Sequence, residues 1–418
     1  MISFLISKKV ENKCLDFLKP SEHFIPVRFD LILHHALKTD RLSDDQKQKF
    51  KTFGEMLLEH YHVDYHKRFL DMKNWFACFE VDRETIYEEA CSPEQREEYG
   101  RKLVEGIDDF LTSSNYSKLS DDEFNECLKQ QPFSGLNITV NTEDFEYFKV
   151  YYRGIREIEE RKTFLYVLAK KVRFQELKRV FILARYKTEK GGGIIVKMFR
   201  DIAVPNLKVV APEVRLNLPM IDKFKIGGTF MSSLILPLVK VVMAAGFGLF
   251  LFVMLLVPTL SALMKSVFGF LNSRTRCMQV YSSNLYHKTM ANNVGALNQL
   301  VDQAETQEVK EAFLAYYMLF VEKDRRLTME ELDECVEHWL AENFLKDANG
   351  FFIDFEVDDA LRKLIDKKLV VKKTRDPDGA EIYRVYDIEC ALRRLDEIWD
   401  NLHTENNNED ASTDHLVA

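Results

Sequence analysis

Residues 241–264 read VVMAAGFGLFLFVMLLVPTLSALM and contain no charged side chain. Thirteen of these 24 residues are Leu, Phe or Val. A helix of this length, at about 1.5 Å per residue, is roughly 36 Å long, and the hydrocarbon core of a bilayer is about 30 Å thick. The stretch therefore predicts a transmembrane helix, with a buried helix of a globular domain as the alternative. The anchor residues of this prediction are Val241, Phe247, Leu251, Leu255, Leu260 and Met264.

The wider apolar segment, residues 229–271, leaves the number of membrane crossings open. Lys240 and Lys265 are the only charges between positions 234 and 271. One interpretation is a single span over 241–264. The other is a tight helical hairpin that turns near Gly246 and Gly248, with both lysines reaching the same interface.

Composition indicates one hydrophobic segment in an otherwise polar chain. The mean hydropathy of −0.24 is too low for a polytopic transporter, although 46% of the residues are hydrophobic. The net charge of −9 is segregated, because residues 1–146 sum to −10 and residues 147–228 to +11. The seven cysteines are scattered without a CxxC pair, which argues against a zinc ribbon or a disulfide framework and favours a reducing compartment.

Residues 1–136 are predicted to be an acidic helical region. Ser43–Gln46, Ser92–Gln95 and Ser120–Glu123 each place a hydroxyl three residues before a Glu or Gln, which is the capping-box pattern that opens helices. Apolar residues recur at helical spacing after the first of these boxes.

Residues 137–228 are predicted to be a basic, β-rich module of five to seven strands. Runs of β-branched and aromatic residues alternate with polar ones, and Gly191–Gly193 lies between two such runs as a hairpin connection rather than a phosphate loop. Five basic residues are predicted to contact anionic lipid headgroups, with pairing to the acidic flanking regions as the alternative. They are Lys170, Lys171, Arg173, Lys178 and Arg179.

Residues 272–402 are predicted to form a helical and winged-helix-like domain, followed by a disordered tail at 403–418. An amphipathic helix is predicted at Val309–Val321, and a fourth capping box at Thr328–Glu331 opens the next one. A strand at Phe351–Phe355 and a turn at Asp376–Gly379 complete the order helix, helix, strand, helix, hairpin, which is that of a winged-helix domain. Nucleic-acid binding is not expected, because residues 308–400 carry a net charge of −9 and phosphate contacts require Lys and Arg.

Several motifs resemble the transmembrane protein 143 family, an uncharacterised group of membrane proteins. The motifs are His23–Arg28, Tyr152–Gly154, Phe199–Ile202, Leu285–His287 and, most clearly, Leu300–Glu311. The resemblance spans about residues 20–390. It implies one or two closely spaced membrane helices and a mitochondrial location for animal members. It implies no catalytic residues, since none are established for the family.

The sequence indicates no catalytic, cofactor-binding or metal-binding motif. His60, His62 and His66 place two imidazoles on one helical face, but no fourth ligand or HExxH pattern accompanies them, so a polar helix face is expected. The predicted function is a non-enzymatic scaffold or tether at a membrane surface, acting through membrane lipids or protein partners. The alternatives are an oligomeric channel or transport accessory subunit, and an enzyme with an unrecognised site.

Overall fold

The computed structural model describes ten continuous segments and a few positions between them. The segments are 23–80, 91–129, 137–140, 143–164, 168–212, 214–217, 285–323, 327–344, 353–375 and 381–413, with scattered positions from 261 to 283 and Arg325. The chain divides into two compact units. A sheet unit contains residues 118–150 and 156–290, and a helical unit contains residues 18–117, 151–155 and 291–418.

The described elements mix helices and antiparallel strands. The helices are α1 Phe29–Ala36, α2 Asp44–Ala77, α3 Pro93–Ser113, α4 Asp121–Lys129, α5 Asn293–Val321, α6 Met329–Phe344, α7 Val357–Asp366 and α8 Ile388–Thr413. The strands are β1 Ser117–Lys118, β2 Asn137–Val140, β3 Phe145–Phe164, β4 Leu168–Tyr186, β5 Ile194–Ala203, β6 Val214–Asn217, β7 Thr289–Asn292, β8 Val370–Arg375 and β9 Glu381–Val385.

No helix among the described residues combines the length and the apolar character that a membrane crossing requires. The longest, α2 and α5, carry charged residues along their length, and α5 contains Glu308, Lys310 and Glu311. This finding contradicts the predicted membrane-anchored fold class, the transmembrane helix and the integral-membrane localisation. The anchor positions from Val241 to Leu260 lie outside the described residues, and Met264 lies on helical backbone with an exposed side chain.

The predicted capping boxes begin the helices. At the start of α2, Gln46 N donates to Ser43 Oγ (3.3 Å) and Ser43 N donates to Gln46 Oε1 (3.0 Å). The same reciprocal pair opens α3 at Ser92. Ser120 and Thr328 make equivalent bonds before α4 and α6. These bonds satisfy N–H groups that lack partners within the helix, so the four helix starts are confirmed.

Helix α5 is the centre of the helical unit. Residues 307–320 are buried without interruption, and α5 contacts α1, α2, α3, α6 and α7. Aromatic rings from α2 cover one side: Phe53 lies 4.4 Å from the ring of Tyr316, and Phe50 lies 4.9 Å from that of Phe320. Strand β7 ends at Asn292, and α5 then runs without interruption from Asn293 to Val321.

Apart from β8 and β9, the described strands form a five-stranded sheet in the order β1-β3-β4-β5-β7 and a separate antiparallel pair of β2 with β6. Strands β4 and β5 pair in antiparallel register, with Val180 opposite Phe199. The connection between them takes positive φ at Gly191 (94°) and Gly192 (57°), which a residue with a Cβ adopts at a cost. The predicted hairpin at these glycines is confirmed.

The C-terminal elements follow the order α6, α7, β8–β9 hairpin, α8. The expected strand at Phe351–Phe355 is not formed where residues are described, since Ile353–Phe355 is irregular. The winged-helix assignment stays a prediction.

One disulfide, between Cys78 and Cys91, joins the end of α2 to the residue just before the Ser92 cap of α3. The cysteine pattern did not indicate this pairing.

Candidate functional site

The middle of α5 buries four polar side chains within five residues. Gln307, Glu308, Lys310 and Glu311 are each at most 2% exposed. Charged residues are almost never buried to this degree unless they are paired, because removing an ionised group from water is costly. Partners for these four side chains come from distant parts of the chain.

The segment His23–Pro26 supplies one set of partners. Ile25 N donates to Gln307 Oε1 (3.2 Å), and Lys310 Nζ donates to the carbonyl oxygen of Ile25 (2.8 Å). The Lys310 ammonium also lies 4.6 Å from the centre of the Phe24 ring. Burial and the nearby charge of Arg153 lower the pKa of Lys310 to about 7. This segment is thus held to α5 through its backbone.

Arg153 and Asn115 extend the same network. The Arg153 guanidinium lies 3.7 Å from the centre of the Phe24 ring and donates to the Ser114 carbonyl oxygen (2.9 Å). Asn115 Nδ2 donates to Glu311 Oε1 (3.2 Å) and to the His23 carbonyl oxygen (3.0 Å). The motifs His23–Arg28, Tyr152–Gly154 and Leu300–Glu311, which lie far apart in sequence, therefore meet in one place.

A group of three carboxyls adjoins this network and shares Glu311 with it. Glu308 and Glu311 are one turn apart on α5, and Asp359 comes from α7; one oxygen from each lies within 4.8 Å of the other two. We call these three residues the carboxylate centre. Lys363 Nζ donates to Glu308 Oε2 and Asp359 Oδ2. Among the described residues, Glu308 Oε1 has no hydrogen-bond partner although it is buried.

The electrostatics of the carboxylate centre reflect its burial. Burial is the main cause that raises the pKa of Glu311, to about 8, and hydrogen bonds from Gln307 and Asn115 oppose it. Burial also raises the pKa of Asp359, against the charge of Arg362. Burial, with the charge of Arg68, lowers the pKa of Lys363 to about 7. Burial therefore disfavours the charged forms of Glu311, Asp359 and Lys363.

Tyr61 of α2 lies beside this centre. Its hydroxyl is buried and makes no hydrogen bond in the part of the chain that is described. Burial, followed by the charges of groups that include Glu311 and Asp359, raises its pKa. Tyr61 and Lys363 also line a cleft of about 540 Å³. The carboxylate centre thus adjoins a surface cleft, and a buried polar hydroxyl lies near both.

The donor set of the carboxylate centre consists of oxygens alone. Mg²⁺, Mn²⁺ and Ca²⁺ prefer such ligands, whereas Zn²⁺ and Cu²⁺ favour nitrogen and sulfur. Glu308, Glu311 and Asp359 are the residues that could hold such an ion, and they are the one group of three such ligands found among the described residues.

The histidines singled out in the sequence are not brought together. His60 is buried, and its Nε2 lies 2.8 Å from the carbonyl oxygen of Leu395, with burial lowering its pKa. His62 Nδ1 lies 3.1 Å from Glu305, and its ring stacks on that of His66. His60 thus makes a structural contact, whereas the other two lie on an exposed helix face.

The basic residues predicted to contact lipid lie on strand β4. The side chains of Lys170 and Lys171 lie outside the description. Arg173 donates to Glu159, and Arg179 donates to the carbonyl oxygen of Lys178 (2.8 Å). Successive residues of a strand point to opposite faces, so Lys178 does not share a face with the two arginines. Nothing in these contacts tests the lipid prediction.

Sequence reasoning missed the carboxylate centre, although one signal for it was present. Glu308 and Glu311 end the block Leu300–Glu311, which carries the clearest family resemblance. Their spacing puts them on one helical face. Nothing local indicates that this face is buried, or that Asp359 lies opposite it.

Comparison with known proteins identifies one domain. Residues 150–295, about a third of the chain, match the family described as Protein of unknown function (DUF3754). The match covers most of the sheet unit and includes Arg153, whereas the carboxylate centre lies beyond its end. No solved structure matches the chain. The comparison confirms a domain of the uncharacterised kind expected from the sequence, but not the more specific transmembrane protein 143 family.

Proposed function

We propose that the helical unit binds a divalent cation, Mg²⁺, Mn²⁺ or Ca²⁺, through Glu308, Glu311 and Asp359. The observation that carries this proposal is that three buried or half-buried carboxyls converge within 4.8 Å while Glu308 Oε1 has no described hydrogen-bond partner. A buried carboxylate oxygen without a partner costs free energy, and a metal ion bonded to that oxygen would remove the cost.

Basic side chains already contact two of the three carboxyls, so a bound cation would compete with them. Lys363 contacts Glu308 and Asp359, Arg362 pairs with Asp359, and Lys310 donates instead to the Ile25 carbonyl oxygen. In the proposed function Lys363 stabilises the cation-free centre, and the cation displaces its ammonium group toward the cleft that this residue lines. The competing interpretation is a purely structural network, in which Lys363 and a protonated Glu311 neutralise the cluster.

Mn²⁺ titration followed by electron paramagnetic resonance separates these interpretations, because the signal of free hydrated Mn²⁺ falls when the ion binds. The full chain is expected to bind a single Mn²⁺, which Mg²⁺ or Ca²⁺ displaces. Glu308→Gln and Asp359→Asn are expected to weaken binding by about 100-fold, equivalent to about 2.7 kcal/mol.

Glu305→Gln is the matched control. Glu305 lies one turn before Glu308 on α5 and contacts His62 instead of the carboxylate centre. It is expected to bind Mn²⁺ as the wild type does. Equal binding by Glu308→Gln and Glu305→Gln would refute the proposal.

Two expectations from the sequence are kept as separate proposals. Kinship with the transmembrane protein 143 family is supported by motifs such as Tyr152–Gly154 and Phe199–Ile202, which fall in the matched region. An interaction role as a scaffold is compatible with a cation site, because an ion that stabilises the helical unit would regulate its contacts. Co-purification of partners with and without a chelator tests the scaffold role.

A further inference from the structure

The cleft beside the carboxylate centre has the size of a small-molecule site. It measures about 540 Å³ and lies between α2 and the end of α7, with Tyr61, Tyr65 and Lys363 among its lining residues. Sites for small molecules commonly occupy about 300–1,000 Å³. Lys363 lines the cleft and donates to Glu308 and Asp359, so a cation that displaced this ammonium group would lie at the inner wall of the cleft.

Basic residues line the cleft throughout, whereas its acidic residues are all exposed. Asp64, Asp71 and Asp366 lie at the rim together with the exposed Lys67 and Arg68. Lys363 and Lys367 are more deeply placed, with side chains 20% and 17% exposed. The inner wall is therefore positive and would attract an anionic group.

Lys367 and Arg68 are held in position by aromatic rings. The Lys367 ammonium lies 4.8 Å from the centre of the Tyr61 ring. The Arg68 guanidinium lies 4.4 Å from the centre of the Phe110 ring. Each also makes an ion pair with an exposed aspartate, Lys367 with Asp64 (3.5 Å) and Arg68 with Asp109 (3.6 Å). Exposed pairs of this kind are weak, so a more highly charged ligand can replace the aspartates.

We infer that the cleft binds the phosphate group of a phosphorylated small molecule between Arg68, Lys367 and the cation of the carboxylate centre. This inference rests on the proposed cation site. Three carboxyl ligands leave part of an octahedral coordination sphere for water and phosphate oxygens, which is the common arrangement around Mg²⁺. The planar guanidinium of Arg68 offers paired N–H donors that match phosphate oxygens.

The rim of the cleft, with three acidic and two basic residues, disfavours larger polyanions. Nucleic acid would bring many phosphates across Asp64, Asp71 and Asp366, which outnumber the exposed Lys67 and Arg68 in the lining of the cleft. A small molecule with a single phosphate terminus avoids that repulsion, because only its phosphate reaches the inner wall.

Isothermal titration calorimetry of inorganic phosphate into the full chain, with and without saturating Mg²⁺, tests the inference. Phosphate is expected to bind about tenfold more tightly with Mg²⁺, and Lys367→Gln is expected to weaken that binding by about tenfold. Lys51→Gln is the matched control, since Lys51 lies on the exposed part of α2 and pairs with Glu55. Mn²⁺ binding by Lys367→Gln should equal that of the wild type.

The two proposals fail in different ways. If Mn²⁺ binds but phosphate affinity does not respond to Mg²⁺, or if Lys367→Gln behaves as Lys51→Gln does, the phosphate inference is overturned and the cation site stands. If Mn²⁺ does not bind, the cation site and the inference that rests on it are both overturned, even where phosphate binds without a metal.

Discussion

Replacing Lys363 with Met is expected to destabilise the cation-free protein by about 3 kcal/mol. The change keeps an unbranched apolar stem but removes the ammonium that contacts Glu308 and Asp359. Breaking a buried ion pair from one side costs about 3–5 kcal/mol, because the remaining charge is left buried. Glu308 is fully buried, but Lys363 is 20% exposed, so the lower end of that range applies.

Urea unfolding followed by circular dichroism at neutral pH, with a chelator present, measures this cost. Lys367→Met is the control, because Lys367 pairs with the exposed Asp64 and such a pair contributes about 0–1 kcal/mol. If Lys363→Met is no less stable than Lys367→Met, Lys363 does not stabilise the buried carboxylate of Glu308, and this conclusion is refuted.

The same variant has a second expected property. A cation and the Lys363 ammonium compete for the same oxygens in our account, so Lys363→Met should bind Mn²⁺ more tightly than the wild type does. Added Mg²⁺ should therefore restore more stability to the variant than it adds to the wild type, since a ligand stabilises the folded state according to its affinity. Weaker Mn²⁺ binding by the variant would contradict this competition.

Three further predictions concern stability. Cys78→Ser should cost about 3 kcal/mol in urea unfolding, because the disulfide to Cys91 closes a short loop, and the oxidised wild type treated with reductant should lose as much. The pKa of Glu311 is raised from 4.5 to about 8, so between these pH values the folded state keeps a proton that the unfolded state has lost. The free energy of unfolding should therefore fall as pH rises from about 4.5 to about 8. The urea midpoint of Glu311→Gln, which has no carboxyl to titrate at this position, should lack this part of the pH dependence. Gly191→Ala should lower the unfolding temperature, because an alanine at positive φ destabilises the folded state by about 1–2 kcal/mol. Gly193 does not have positive φ, so Gly193→Ala should leave the unfolding temperature unchanged.

Local patterns predicted the helix starts and the β4–β5 hairpin. The capping boxes act within four residues, and the glycines between β4 and β5 are required by positive φ at two adjacent positions. Such features depend on neighbours in sequence, so one chain is enough to identify them. The membrane prediction rested on hydrophobicity alone, and in the described part of the chain no helix carries the length and apolar character it required.

The carboxylate centre was not predictable because its members are brought together by tertiary packing. Glu308 and Asp359 lie 51 positions apart and meet only where α7 packs on α5. In sequence, Gln307–Glu311 is typical of a solvated helix face. Its burial depends on Ile25, Arg153 and the helices that surround α5. The spacing of apolar residues along the sequence does not show these tertiary contacts.

Anomalous diffraction from crystals grown with Mn²⁺ shows whether the carboxylate centre binds a cation. We expect an anomalous peak about 2.0–2.6 Å from oxygens of Glu308, Glu311 and Asp359, with Lys363 Nζ moved toward the cleft. Mn²⁺ found only on exposed carboxylates, with Lys363 still bonded to Glu308 and Asp359, would rule out the proposed cation site.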